Sequence, residues 1–223
     1  MNVFRELKPA DGATILNALL GFSALLMASR ADGSFFIEAA VVLILLAAVS
    51  DGIDGFLARR WGSSPLGADL DSLADLTSFG VAPAFLATTA FREQPFVLAA
   101  SLFYLLASLL RLARFNASPK DEKFFEGLPV PAASILLAAS VLYGQAIITS
   151  IIMLVLAVLM VSSAPYPKVR DIRALFLMGL TILAAASLIW RQVDVTYAAF
   201  LIIAVILIYI ISPVVASRLR KGK

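Results

Sequence analysis

The sequence contains no cysteine and no histidine. Without cysteine the chain has no disulfide and no thiol nucleophile, and without histidine it has no Ser-His-Asp triad, histidine proton shuttle or histidine metal ligand. Acid–base chemistry must therefore use Asp, Glu, Lys, Tyr or water. Charged residues are also scarce, at 15% of the chain, so the few that interrupt its apolar segments are the most informative about function.

Apolar residues make up 61% of the sequence, and the mean hydropathy is +0.95. Soluble domains are about half apolar, so this composition predicts an integral membrane protein. The net charge of +3 and the pI near 9.3 would suggest a nucleic-acid partner in a soluble protein. Basic residues at the ends of membrane spans explain the charge through topology instead, and we expect no nucleic-acid binding.

The apolar runs predict an all-α, polytopic membrane helix bundle, because about 20 apolar residues cross a bilayer core. We expect eight transmembrane helices, with six as the alternative, and a weak boundary at Tyr143-Gly144-Gln145. The whole chain, 1–223, should form one membrane domain, with a catalytic core at about 8–170 and C-terminal packing helices within 173–216. The predicted spans are 12–29, 35–60, 67–90, 94–115, 128–144, 146–165, 173–190 and 195–216.

The basic residues predict the orientation of the chain, since Lys and Arg accumulate on the cytoplasmic side of a membrane. With both termini cytoplasmic, only Arg30, Arg92 and Arg191 of the 18 Lys and Arg residues lie outside. We therefore expect a multi-pass protein of the cell membrane whose functional site faces the cytoplasm.

Four aspartates stand at helical spacing on either side of a short loop, within residues 51–75. Residues three, four and seven positions apart share one helix face, and here each face combines two carboxylates with glycine or alanine. Two such faces turned toward each other would form a cup lined by oxygen atoms. The residues on the two faces are Asp51, Asp54, Gly55 and Ala58 before the loop and Gly67, Asp71 and Asp75 after it.

Four carboxylates at close range repel one another unless a cation lies between them. Oxygen-only ligation suits a hard ion such as Mg²⁺, Mn²⁺ or Ca²⁺ and argues against zinc or copper. Mg²⁺ typically binds through a few carboxylates together with substrate phosphates, and the small residues leave room for a diphosphate. We therefore predict a divalent-cation site at Asp51, Asp54, Asp71 and Asp75, the alternative being a solvated acidic helix end.

Three further polar residues lie at the same predicted end of the bundle. Asn17 interrupts the first apolar run, where it could hydrogen-bond to another helix or contact a ligand in the cup. Arg111 and Arg114 share a face of the fourth predicted helix. Such arginines usually anchor the topology, yet a buried arginine also suits carboxylate or phosphate recognition. Both interpretations stay open for each residue.

The pattern Asp51-x2-Asp54-Gly55-x2-Ala58-Arg59, followed by Gly67-x3-Asp71-x3-Asp75, resembles the signature of the CDP-alcohol phosphatidyltransferases. Seven residues separate Arg59 from Gly67, where family members usually have eight, so we expect a tighter turn and an intact site. Three shorter motifs look like the phosphatidylserine synthase branch, an archaetidylserine synthase included. They are Asp71-Ser-Leu-Ala-Asp75-Leu-Thr-Ser-Phe-Gly-Val-Ala-Pro83, Arg111-Leu-x-Arg114-Phe-Asn116 and Gly127-Leu-Pro129-x-Pro131.

This resemblance implies transfer of a phosphatidyl or archaetidyl group from a CDP-linked lipid to the hydroxyl of L-serine, with release of CMP. It implies Mg²⁺ or Mn²⁺ bound by the first three aspartates, Asp75 as general base and close to the metal, and a homodimer. The residues that would contact the nucleotide and diphosphate are Asn17, Asp51, Gly55, Ala58, Arg59, Gly67 and Asp71. Those that would hold the serine are Arg111, Arg114 and Asn116.

Three alternatives remain open at this point, one of which is a purely structural membrane protein that would need no carboxylate cup. A sister enzyme of the family could use glycerol 3-phosphate or inositol phosphate as the acceptor. A cation-coupled transporter also uses intramembrane carboxylates, although it would be expected to place them near the bilayer midplane in broken helices. The sequence leaves open whether the lipid is CDP-diacylglycerol or the ether-linked CDP-archaeol.

Overall fold

The computed structural model describes residues 6–30, 33–117, 124–167, 172–191, 197, 199–204, 206–207 and 209–210. Within these residues the chain is a bundle of α-helices accompanied by two short strands. The helices are α1 (Pro9–Ala28), α2 (Ser34–Trp61), α3 (Gly67–Ala90), α4 (Pro95–Ala117), α5 (Val130–Leu142), α6 (Ala146–Val161) and α7 (Ile172–Trp190). The strands are β1 (Phe124–Glu126) and β2 (Pro165–Pro167).

Helices α1 to α4 are long and apolar enough to cross a membrane, with 20, 28, 24 and 23 residues. They correspond to the first four predicted spans, so the prediction of a helical membrane bundle is confirmed. Helices α5 and α6 are apolar but shorter, at 13 and 16 residues. The last predicted span, 195–216, and both chain ends lie partly or wholly outside the described residues. The total of eight spans and the placement of the termini therefore stay predictions.

The weakest predicted boundary is confirmed as a turn. Helix α5 ends at Leu142 and α6 begins at Ala146. Between them Gly144 has a φ of +75°, a left-handed conformation that favours glycine because it has no Cβ. The apolar stretch therefore folds back on itself as two helices.

An antiparallel pair of three-residue strands departs from the all-α prediction. Phe125 pairs with Tyr166, and the neighbouring pairs are Phe124 with Pro167 and Glu126 with Pro165. Two of the three β2 residues are prolines, which lack the N–H that a regular ladder needs, so no strand pattern is visible in the sequence. The pair connects the segment after α4 to the segment after α6.

Helices α1 and α3 pack closely because small residues lie between them, as is common in membrane bundles. A Cβ on Gly21 would lie only 2.6 Å from Cα of Ser78. Ser78 uses this proximity to donate a hydrogen bond of 2.8 Å to the backbone oxygen of Asn17. The contact fixes α1 against the middle of α3, directly beyond the last aspartate.

Helix α3 is not a regular α-helix along its whole length. Gly67–Asp75 and Ala82–Ala90 are α-helical, and Leu76–Val81 between them is π-helical. The backbone oxygen of Phe79 accepts a hydrogen bond of 2.9 Å from the buried hydroxyl of Tyr104 on α4. Segments of this kind are frequent at functional sites, and this one begins immediately after Asp75.

Aromatic contacts attach the C-terminal helical residues to the bundle. Tyr143 contacts Phe200 with ring centroids 6.2 Å apart, and Tyr166 contacts Tyr209 at 5.8 Å. The part of 173–216 that the structure describes therefore packs on the preceding helices and on β2.

Candidate active site

The candidate site lies at one end of the bundle, where four helix ends meet. The last turns of α2 and the first turns of α3 carry the aspartates, and the first half of α1 and the last turns of α4 lie beside them. Because α1 to α4 alternate in direction, residues far apart in sequence are brought together at this end. The predicted cup therefore exists as a structural feature.

Three carboxylates form the centre of the site. Asp51, Asp54 and Asp71 each offer an oxygen atom, and these atoms lie within 4.8 Å of one another. Asp54 is only 6% exposed, and the other two are half-buried. An oxygen-only donor set with this spacing can hold a divalent metal ion and suits a hard one.

Asp75 lies next to these three aspartates, about one turn farther along α3, and is 7% exposed. Its Oδ1 accepts a hydrogen bond of 3.2 Å from Nδ2 of Asn17, which is fully buried. The carboxyl groups of Asp75 and Asp51 are close enough to interact with each other. The four predicted residues are thus together, arranged as three clustered carboxylates and one adjacent to them.

Helix α1 orients two of the aspartates, a role that was predicted for no residue; Asn17 was expected either to hydrogen-bond to another helix or to contact a ligand. Thr14 donates a hydrogen bond of 2.9 Å to Oδ2 of Asp54 and one of 3.2 Å to the backbone oxygen of Ala10. Thr14 and Asn17 are three residues apart and share a face of α1. A signal was available in the sequence, because Asp11, Thr14 and Asn17 recur every three residues and continue into a run of small residues on the same face. The buried stripe of α1 is Ala10, Asp11, Thr14, Asn17, Gly21, Ala24 and Ala28.

The small residues of the predicted nucleotide site differ in their surroundings. A Cβ on Gly55 would meet only the Nη1 atom of Arg59, at 3.5 Å, so space is open beside Asp54. Gly67 is more confined, because its Cβ would lie 3.4 Å from Oδ1 of Asp11. Ala58 is half-buried and Arg59 is exposed. Gly67 therefore permits close packing of the start of α3 against Asp11.

Arg111 is buried, with 5% of its surface exposed, on the side of α4 that faces the aspartates. Its guanidinium carbon lies 5.2 Å from the ring centroid of Phe115, and its charge interacts with Asp75 and Asp51. Of the two interpretations left open for Arg111, burial argues against a topology anchor alone, since such an arginine would extend toward water.

Arg114 and Asn116 make contacts that the sequence did not suggest. The guanidinium of Arg114 donates to four backbone oxygens, at 2.7 Å for Glu126 and 3.0 Å for Met160, Val161 and Ser162. Three of these carbonyls belong to the C-terminal end of α6, where backbone oxygens lack helical partners and a positive charge is favourable. Asn116 is exposed and accepts a hydrogen bond of 3.0 Å from Ser72 on α3. Both residues therefore tie α4 to neighbouring segments.

Comparisons with known proteins agree with this geometry. The sequence model of the CDP-alcohol phosphatidyltransferase family matches residues 8–164. The archaetidylserine synthase of Methanothermobacter thermautotrophicus is 37% identical over 165 residues, which cover 71% of this chain and 69% of that protein. The CDP-diacylglycerol–serine O-phosphatidyltransferase of Methanocaldococcus jannaschii is 38% identical over 161 residues, 71% of this chain and 73% of that protein.

A more distant organism gives a similar result over a shorter region. The CDP-diacylglycerol–serine O-phosphatidyltransferase of Saccharomyces cerevisiae is 41% identical over 143 residues, 58% of this chain and 52% of that protein. The family match spans both helices that carry the four aspartates, together with the parts of α1 and α4 that contact them. Since that match covers well over half of the sequence, the chain belongs to the CDP-alcohol phosphatidyltransferase family.

Proposed function

We propose that this membrane enzyme transfers the phosphatidyl or archaetidyl group of a CDP-linked lipid to the hydroxyl of L-serine and releases CMP. The observation that carries the proposal is the set of three carboxylates within 4.8 Å of one another, with Asp75 beside them. The names of the relatives, which are serine phosphatidyltransferases and an archaetidylserine synthase, support serine as the acceptor.

Asp51, Asp54 and Asp71 would hold Mg²⁺ or Mn²⁺, and the oxygen donors would also accept Ca²⁺. When bound, such a cation neutralises the charge of the diphosphate and stabilises the departing phosphate of CMP. The donor set fits this role because all three ligands are carboxylates already gathered at one point. Thr14 contributes by fixing the orientation of the Asp54 carboxylate.

Asp75 would act as the general base for the acceptor. In the proposed reaction the serine oxygen forms a bond to the lipid phosphorus, the bond between that phosphorus and the bridging oxygen breaks, and CMP leaves with that oxygen. The serine proton passes to the carboxylate of Asp75. Asn17 supports this role because its amide holds Oδ1 of Asp75, and a base must be oriented toward the proton it accepts.

The nucleotide and diphosphate would lie over the small residues of α2 and α3. Gly55 and Ala58 leave the surface beside Asp54 free of large side chains, and Arg59 lies one position farther along α2. Gly67 would serve the same purpose at the start of α3. The base of the proposed binding surface would be formed by Asn17, Asp51 and Asp71.

The serine carboxylate would be bound by Arg111, whose planar guanidinium suits carboxylate recognition. Arg111 is buried beside the aspartates, so the amino acid would be placed between the cation and the base. Arg114 and Asn116 would contribute indirectly, because their contacts with backbone carbonyls and with Ser72 position the end of α4. This arrangement favours serine over a phosphorylated acceptor, which would need more positive charge at the site.

The distribution of Lys and Arg supports a cytoplasmic location of the site in the cell membrane, with both termini on that side. A homodimer is part of the proposal because the resemblance to the family implies one. Cysteine-scanning accessibility in vesicles tests the orientation, since the chain has no cysteine of its own. A cysteine at exposed Arg60 should react with a membrane-impermeant reagent only from the cytoplasmic side.

CMP release by the purified protein tests the proposed reaction. The assay would contain Mn²⁺ or Mg²⁺, CDP-diacylglycerol or CDP-archaeol, and L-serine, glycerol 3-phosphate or inositol phosphate as acceptor. Metal-dependent release with serine alone is the expected result. Release only with a phosphorylated acceptor would keep the family chemistry and overturn the acceptor, and no release with either lipid would contradict the proposal.

A further inference from the structure

The two helices that carry the aspartates are joined by a linker of five residues, 62–66. Asp54 precedes this linker and Asp71 follows it, so its conformation determines how far apart the two helices hold their carboxylates. Gly62 has a φ of +80° and opens the linker with a sharp change of direction. A linker of this kind needs contacts from elsewhere if it is to stay in one conformation.

The beginning of α1 supplies those contacts through Asp11, which is 2% exposed. Oδ1 of Asp11 accepts a hydrogen bond of 3.0 Å from the hydroxyl of Ser64, and Oδ2 accepts one of 2.6 Å from the backbone N–H of Lys8. Lys8 in turn donates from Nζ to the backbone oxygen of Ser63 at 2.8 Å. Ser64 is itself buried, at 7% exposed, so its hydroxyl is held against a carboxylate that is shielded from water.

On its other side the linker leads directly into α3. The backbone oxygen of Ser64 accepts a hydrogen bond of 3.1 Å from the N–H of Gly67, the first residue of α3. Gly67 is also packed against Asp11, since a Cβ there would lie 3.4 Å from Oδ1. The contacts therefore run from Asp11 to Ser64, from Ser64 to Gly67, and one turn later to Asp71.

Helix α1 contacts both sides of the cluster at once. Thr14 bonds to Asp54 on α2, and Asp11, three residues earlier on α1, holds the start of α3 through Ser64. Because Thr14 and Asp11 belong to the same helix, the geometry of α1 sets the distance between the groups that they hold on α2 and at the start of α3. We propose that Asp11 and Ser64 are positioning residues that set the separation of Asp54 and Asp71, and with it the affinity of the site for its cation.

This inference rests on the proposed binding of a divalent cation by the three clustered aspartates. It has one competing explanation, which is that Asp11 acts only through its negative charge, since that charge interacts with Asp54. The two explanations differ for Ser64. Replacing Ser64 by alanine keeps the charge of Asp11 and removes only the hydroxyl that joins it to the linker.

The test is Mn²⁺ binding to the full-length protein in detergent, measured without substrates from the electron paramagnetic resonance signal of free Mn²⁺. Loss of a residue that contacts a metal ligand typically weakens metal binding by 10- to 100-fold. Ser64 acts on the ligands less directly, through Asp11 and Gly67. We therefore expect about fivefold weaker binding for Ser64→Ala and about tenfold or more for Asp11→Asn. Ser64→Thr keeps the hydroxyl and should restore most of the affinity.

The matched control is Ser101→Ala, a buried serine whose hydroxyl donates to the backbone oxygen of Ala84, far along α3 from the aspartates. It should bind Mn²⁺ as the unmodified protein does. Melting temperatures in EDTA show that each variant is folded. If Ser64→Ala does not fold, Ser64→Cys, which keeps the volume and is a weaker donor, takes its place with the same expected direction.

The outcomes separate this inference from the proposed function. If the unmodified protein does not bind Mn²⁺, the proposed cation site fails, and the inference with it. If the unmodified protein binds Mn²⁺ and the folded Ser64 variant binds it equally well, positioning by Ser64 and Asp11 is overturned even if Asp11→Asn binds weakly. Weaker binding in both variants, with rescue by threonine, supports the positioning role.

Discussion

Buried polar side chains make different contacts in the two parts of the helical bundle. In the first part several donate to backbone oxygens, as Ser78 does, but two bond across helices to ionisable groups, Thr14 to Asp54 and Asn17 to Asp75. These bonds determine where the carboxylates point. Each one joins a neutral side chain on α1 to a charged group on α2 or α3.

In α5 and α6 three buried hydroxyls bond to backbone oxygens instead. Ser140 donates to Leu137, Thr149 to Ser140 and Ser150 to Ala146, at 2.7 to 3.1 Å. Such bonds satisfy the hydroxyl within one helix or between adjacent helices, and they orient no reactive group. A polar residue in an apolar helix therefore indicates a functional site when its partner is ionisable, and indicates packing when its partner is a carbonyl.

The strongest test of this comparison removes the charge of Asp75. Asp75→Asn should lower the rate of CMP release by about 10²- to 10⁴-fold, the usual contribution of a general base, while Mn²⁺ binding in the same preparation stays nearly unchanged. Asp69→Asn is the matched control, since Asp69 is an exposed aspartate on α3 and should retain activity. Full activity of Asp75→Asn would remove the base from the proposed mechanism.

The next largest effect should separate the two arginines of α4. Arg111→Ala removes the proposed partner of the serine carboxylate and should raise the KM for serine by about 10- to 100-fold, since a charged hydrogen bond contributes about 1.5 to 3 kcal/mol. The KM for the CDP-linked lipid should change little. Equal losses for both substrates would show that Arg111 does not discriminate serine.

Arg114→Ala should behave differently, because Arg114 donates to four backbone oxygens around the end of α6. We expect a clear drop in the melting temperature in detergent and a KM for serine near that of the unmodified protein. A large increase of that KM in a protein of unchanged stability would instead place Arg114 at the substrate.

A smaller effect compares two threonines with different partners. Thr14→Val removes the bond to Asp54 and should reduce activity and Mn²⁺ affinity by about tenfold, as is common for outer contacts of metal sites. Thr149→Val removes a hydrogen bond to the backbone oxygen of Ser140. It should lower the stability of the protein about as much as Thr14→Val does, with no loss of activity. Equal activities of the two variants would contradict the distinction drawn between ionisable and carbonyl partners.

The smallest effect is expected for Ser50, which is intermediate between the two classes. Its hydroxyl bonds across helices from α2 to α1, but the acceptor is the backbone oxygen of Ala13, at 2.8 Å. Ser50→Ala should cost about 0.6 kcal/mol of stability, the average for interhelical hydrogen bonds in a membrane protein, and change activity by less than twofold. A tenfold loss of CMP release would show that backbone acceptors next to Asp51 also orient the site.

The aspartate cluster was predictable from the sequence because helical spacing is local information. Asp51 and Asp54, and likewise Asp71 and Asp75, share a helix face whatever the rest of the fold does. The burial of Arg111 was one of two interpretations that its position near the end of an apolar run left open. Membrane helices also limit the possible arrangements, since each must cross the bilayer and return.

The contacts of α1 with the linker and of Arg114 with α6 were not predictable in this way. Ser64 and Asp11 are 53 positions apart, and nothing in their local sequence specifies that they meet. The partners of Arg114 are backbone oxygens, which every residue possesses, so no sequence pattern marks them. The strand β2 was hidden for a related reason, because proline is normally evidence against a strand.

The π-helical segment of α3 determines the direction around the helix axis in which Asp71 and Asp75 point. Each residue of an α-helix advances the chain by about 100° around the helix axis, and Leu76–Val81 contains wider turns than that regular pattern. The Ser78 contact within the segment, and the core residues beyond it, hold the second half of α3 in a fixed rotation against the bundle. A π-helical turn holds about one residue more than an α-helical turn, so the same six residues in a regular α-helix would turn Asp71 and Asp75 by about 100° relative to that anchored half. The carboxylates would then face away from α1 and α2, so the rotational phase of a single helix decides whether the four aspartates form one site or two unrelated acidic patches.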